Sequence, residues 1–357
     1  MNRIKSIDGL RAISIIMVLL GHGGETMPSV ITHNFFFQFA ANSTLGVRIF
    51  FVISGYLITK LLIIEKEKTG KNSLKHFYIR RIFRIFPIFY IYILVIILLK
   101  VFFIPDIFKS YNSVVIAGLY LWNYQPFFHP ALDLKGGWFF GHFWTLAMEE
   151  QFYLLWPITF ILITNKQRLK KLILIVIILM PILRIIIYFL FPFLRGQIRL
   201  MLPTGGDTIL IGCLGALIES SPNFKEKYYK YIQNRLLVTL AILFVAVLSP
   251  ILYNRFKGGY DLSVGISINN VFILLILFWS IYSSTLFSRI LNNKILVQIG
   301  VLSYSLYIWQ QLFLTDLNNF WVNKFPQNLA IVFIVGFLSY YIIEKPILKL
   351  KNRFKDI

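Results

Sequence analysis

Ten apolar runs succeed one another along this chain, and they restrict its fold more than any other feature. They fall at 7–24, 45–64, 82–103, 143–164, 172–192, 205–219, 236–253, 264–284, 297–316 and 327–344. A helix that crosses a bilayer needs roughly 17–25 mostly apolar residues. Hydrophobic residues make up 57% of the 357 and charged residues only 14%. A soluble domain carries about a quarter charged residues, so most of this surface must face lipid or other helices. The expected fold is an all-α integral membrane protein with about ten transmembrane helices and membrane lipid as its surroundings. The sixth run is short and follows Pro203, Gly205 and Gly206, which reads as a broken or tilted segment. A further apolar stretch at 111–124 is a candidate eleventh.

Charge sets the expected orientation. The net charge is +21, yet the basic residues sit in short loops between apolar runs, where they decide membrane topology. They form no contiguous face for nucleic acid, and none is expected as a partner. With the N-terminus in the cytosol, most of the 36 basic residues share that side. Counting 111–124 as a full span would move the loop NKQRLKK (165–171) outside. That stretch is therefore expected to be re-entrant or peripheral, within an external segment of 104–142. Both termini are expected in the cytosol, with 346–357 as a short basic tail. Arg11 interrupts the first run, which argues for a retained span rather than a signal peptide. No internal repeat is visible, so 1–357 reads as one membrane domain. The single cysteine, Cys213, leaves no disulfide framework and no cysteine-rich zinc site, and no metal is expected.

Ionisable groups inside spans are costly and mark function by default. Arg11 and His22 are eleven residues apart, so on a helix they share one face about 16 Å apart. They read as a fixed cation on the cytosolic side and a titratable base near the outer side. The structural alternative is a snorkelling arginine and a capping histidine. In GHFWTLAMEEQFYLLWP (141–157), His142 and Glu149 are seven residues apart, two helical turns, so they are expected to share a face, and Tyr153, four further on, shares it too. Glu149 is expected to orient His22, or else to pair with a structural cation such as Arg184. Arg81 and Arg84, one turn apart in HFYIRRIFRIFP (76–87), suit phosphate groups or anchor to anionic lipid. Asp207, after the break at Gly205–Gly206, is a candidate substrate ligand or second partner for His22. Glu344 reads as an ion-pair partner for the basic inner face. Trp122, Tyr124 and Trp138 form either a sugar-stacking surface or an interfacial aromatic belt.

These segments carry a resemblance. IDGLRAISIIMVLLGHGG (7–24), FFVISGYLIT (50–59), RRIFRIFP (80–87), WTLAMEEQFYLLWP (144–157), LSYSLYIWQ (302–310) and IIEKP (342–346) together resemble acyltransferase family 3. Its members O-acylate cell-surface glycans and other acceptors. The resemblance implies a multi-pass protein of the bacterial plasma membrane. It implies His22 as catalytic residue and Arg11, Arg81, Arg84 and Glu149 as its essential partners. The implied donor is a cytosolic acyl-CoA, usually acetyl-CoA, and the implied acceptor is a hydroxyl of an extracytoplasmic glycan. Some members carry an added SGNH hydrolase-like domain, which this sequence lacks, so it is expected to act alone or with a separate partner. Two positions depart from the family. Gly205 stands where many members have an arginine. Gln310 stands where many have a histidine, so no catalytic role is expected there. The competing reading is a transporter or flippase, which charged spans and a broken helix also suit. A non-catalytic scaffold in glycan assembly is a third.

Overall fold

The computed structural model describes residues 3–128 and 134–350. Its ten main helices are numbered here in chain order: α1 (Lys5–Gly23), α2 (Ser43–Thr69), α3 (Leu74–Phe102), α4 (Phe143–Leu162), α5 (Lys166–Leu190), α6 (Asp207–Glu219), α7 (Arg235–Phe256), α8 (Gly258–Tyr282), α9 (Lys294–Phe313) and α10 (Gln327–Leu350). Each expected apolar run is helical. Side-chain caps start several of them: Ser73 accepts from the His76 N–H, Asn165 from Gln167 and Arg168, and Asn234 from Leu237. Such caps satisfy donors that the first turn leaves open.

Seven of these helices are long and apolar enough to cross a membrane: α1, α2, α3, α5, α7, α8 and α10. The other three differ for legible reasons. Helix α6 has only 13 residues. Helices α4 and α9 have 20 each, but Glu149, Glu150 and Gln151 dilute the first, and Gln298, Gln310 and Gln311 the second. The expected break before α6 is present as a short helix, Leu202–Gly205. The stretch at 111–124 holds an eight-residue helix, Tyr111–Gly118, and a 3-10 turn, Trp122–Tyr124, too short to span. Of the expected tail, 346–350 continues α10 as helix, and 351–357 lies outside the described residues.

The chain divides into two compact units. Unit 1 comprises 1–14, 44–72 and 148–300, and unit 2 comprises 15–43, 73–147 and 301–357. In unit 1, α2 and α6 cross backbone to backbone. A Cβ at Gly55 would lie 1.9 Å from the Ile209 carbonyl oxygen, and one at Gly212 would lie 2.1 Å from that of Val52. Only glycine permits that approach, the usual device of tightly packed membrane helices. Unit 1 also pairs charges, one pair fully buried, Arg184 with Asp207, and others partly buried, Arg48 and Arg199 with Asp261 and Lys60 with Glu219.

Unit 2 has an aromatic core, with Phe89, Tyr92, Phe139, Phe140 and Phe143 essentially inaccessible. Helices α3 and α9 lie side by side within it. The Tyr304 hydroxyl donates to the Ile85 carbonyl at 2.6 Å. Further on, the rings of Tyr92 and Trp309 stand 5.7 Å apart. Both chains advance between those contacts, so the two helices run in the same direction. The end of α1 is fixed in the same unit. Thr26 donates to the Gly23 carbonyl at 2.7 Å and accepts from Asn328 at 2.7 Å.

Candidate active site

His22 sits in the last turn of α1, half-buried. Its Nδ1–H donates to Oε1 of Gln310, 3.1 Å away on α9. Trp138 packs edge-on against the ring, with centroids 6.0 Å apart. The Trp138 indole N–H in turn donates to the Gln311 carbonyl at 2.9 Å. The imidazole is thus held on one side by an amide and on another by an anchored indole. With Nδ1 as the donor, Nε2 carries the ring's lone pair.

A second imidazole stands in the same cluster. His142 is fully buried, and both its backbone N–H and its Nδ1–H donate to Oε1 of Gln311. The Tyr307 hydroxyl and Thr145 both donate to its carbonyl at 3.0 Å. Tyr92 stands edge-on to its ring at 5.2 Å. Among the described residues, Nε2 of His142 and Nε2 of Gln310 are buried with no hydrogen-bond partner. Arg81 and Arg84 lie earlier on α3, in the same unit. Arg84 is exposed and Arg81 half-buried over the Phe77 ring. The Tyr304–Ile85 contact stands next to Arg84, and Gln310 lies six positions beyond Tyr304 on α9, about 9 Å of helix.

Unit 1 holds the other four candidates. Arg11 pairs with Asp8 at 3.8 Å. Glu149 is half-buried on α4, and Tyr153, one turn on, bonds through its hydroxyl to Ser54.

Three expectations are corrected. The helix bearing Glu149 begins at Phe143, so His142 lies in the turn before it, engaged by Gln311 rather than aligned with Glu149. The ring of His22 hydrogen-bonds an amide, Gln310, where a carboxylate was expected. Asp207 is fully buried, ion-paired with Arg184 and accepting from Ser267. That pairing occupies it as a structural bond and leaves no surface for substrate. Glu344 accepts from buried Ser305. Gln310, discounted from the sequence, is in direct contact with the candidate catalytic residue, and Gln311 and Tyr92 were missed. The one signal for the glutamines was a pair of consecutive amides inside an apolar run.

A family model described as an acyltransferase domain matches residues 4–344. The chain belongs to this acyltransferase family. The chain is 30% identical over 371 residues to the peptidoglycan O-acetyltransferase OatA of Listeria monocytogenes, a match covering 97% of this chain and 56% of the relative. It is 32% identical over 374 residues to the O-acetyltransferase OatA of Staphylococcus aureus, covering 97% and 57%. A putative O-acetyltransferase of Staphylococcus aureus is 29% identical, covering 98% and 58%. The chain thus spans a little over half the length of these relatives. No solved structure matches it. Its apolar helices and bacterial relatives make the chain a multi-pass bacterial membrane protein.

Proposed function

We propose that this acyltransferase moves an acyl group, normally acetyl, from cytosolic acyl-CoA to a hydroxyl of a glycan on the outer side of the membrane. The observation that carries the reading is His22: a half-exposed imidazole tethered at Nδ1, about two helical turns along α9 from the level of an arginine pair. The names of two relatives, one a peptidoglycan O-acetyltransferase, favour acetyl and a cell-wall glycan.

Arg81 and Arg84 hold the donor phosphates, where guanidinium forks give paired hydrogen bonds. The pantetheine arm then runs along α3 and α9 and brings the thioester to His22. The acyl carbon leaves sulfur and bonds to the acceptor oxygen. The hydroxyl proton passes to Nε2 of His22 and on to the departing thiolate. In the covalent variant, Nε2 first carries the acyl group itself. Arg11 guides the donor from the inner side, and Glu149 supplies an essential carboxylate that does not bond Nδ1 of His22. The indole of Trp138 offers a face to the sugar. His142 and Tyr153, each 2% exposed and hydrogen-bonded within the protein, act as supports rather than as substrate contacts.

This reading includes ten crossings with both termini in the cytosol. On such a path the first, third and ninth helices run the same way. The parallel course of α3 and α9 supports it. So does α1, where residues 22 and 23 advance together with Gln310 and Leu314.

The test is reconstitution in liposomes with labelled acetyl-CoA and a muramic-acid oligosaccharide. Mass spectrometry should find a donor-dependent ester on the sugar. Intact acetyl-CoA beside unmodified oligosaccharide would contradict the proposal.

A further inference from the structure

Gln310 is fully buried on α9, and its amide oxygen is the hydrogen-bond partner of His22. An amide oxygen can only accept. Its partner must therefore be an N–H, which selects one of the two neutral forms of the ring. The neighbouring residue repeats the device. Gln311 directs its Oε1 at two donors of His142, the backbone N–H and Nδ1–H, which fixes that amide's orientation. Successive residues of one helix thus hold two imidazoles by the same nitrogen. Among the described residues the Nε2 of Gln310 is buried without a hydrogen-bond partner, so the contact with His22 is the one side-chain hydrogen bond recorded for this amide.

We propose that Gln310 is the positioning residue of His22, fixing the proton on Nδ1 so that Nε2 is the nitrogen that meets substrate. The inference deepens the proposed function and rests on His22 handling the acyl transfer. It also gives a role to a position that departs from the histidine many family members carry. A glutamine holds the ring without adding charge. A carboxylate there would hold it equally well and also favour the protonated, inactive form. In unit 2 the neutral groups at the His22 ring are Gln310 and Trp138, and the nearby titratable group is His142.

The experiment compares wild type with H22A, Q310L and Q310E in the reconstituted transfer assay, recording kcat, KM for acetyl-CoA and the pH profile. Q310L keeps the side-chain bulk and removes the acceptor. It should lower kcat by about 10- to 100-fold, taking as guide the range for a metal-bound histidine that loses its orienting partner, with KM within about twofold. Q310E should retain activity on the alkaline side, with the acid limb moved to higher pH by about one unit. A merely structural glutamine would not move that limb. Wild-type kcat in Q310L, or an unmoved acid limb in Q310E, overturns the inference while H22A remains inactive. Should Q310L fail to insert, Q310E decides alone through its acid limb. Activity in H22A instead overturns the proposed function itself.

Discussion

Burial drives the His142 pKa down to about 3, against a weaker opposing effect of its hydrogen bond to Gln311. The ring is therefore neutral near pH 7. Two consequences follow from the sign of that displacement. Between about 6.5, the ordinary histidine value, and 3, the unfolded chain binds a proton that the folded chain refuses. Stability contributed by the neutral ring is complete above that window and drains away as pH falls through it. The thermal midpoint in detergent should therefore drop from pH 7 to pH 5, and H142Q should flatten that drop. An unchanged slope in H142Q would show that other groups govern it. The second consequence is that the acid limb of activity belongs elsewhere, and His22 is the candidate. The chemistry of individual residues was only half legible in the sequence. His22 and the arginines announce themselves because a titratable or charged side chain in an apolar run has few bland explanations. Gln310 does not, since an uncharged amide is tolerated in many helices. Its contact with His22 joins residues 288 positions apart, and no local pattern encodes that.

At the scale of elements, the helices were readable because lipid demands long, uniform apolar runs with their backbone groups satisfied internally. Where a run departs from that demand, the structure departs too. Helix α6 is short and preceded by its break, α4 carries polar residues midway, and α9 carries glutamines toward both ends. The pairing of helices was not readable. Nothing near Gly55 or Gly212 in sequence says that α2 meets α6, yet each glycine lies against the other helix's backbone. Replacing Gly55 by valine forces that crossing apart, since backbone cannot yield as a flexible side chain does. The expected cost is about 1–3 kcal/mol or more, read as a lower thermal midpoint or loss of the folded fraction in detergent. A midpoint equal to wild type would mean that the helices do not approach as described. The buried Arg184–Asp207 pair shows the same limit from another side. Both residues stood out as intramembrane charges, and their mutual neutralisation follows only from the packing of α5 on α6.

For the whole molecule, transfer across a membrane requires that donor and acceptor meet without opening a leak. Unit 2 alone contains an arginine pair, two parallel helices and, farther along them, the tethered imidazole. If Arg81 and Arg84 hold phosphates, R81A and R84A should each raise KM for acetyl-CoA about tenfold, as loss of a charge-assisted contact of about 1.4 kcal/mol does. Their kcat should change little. A fall in kcat at constant KM would place these arginines in the transfer step instead. The claim on which the account turns is that His22 handles the acyl group. Its most direct measurement is the turnover rate of H22A in liposomes, with folding checked by thermal midpoint. The account predicts a loss of roughly 10²- to 10⁴-fold, the usual contribution of a positioned acid–base group, at an unchanged midpoint. A folded H22A protein that esterifies the glycan within about twofold of the wild-type rate would contradict it.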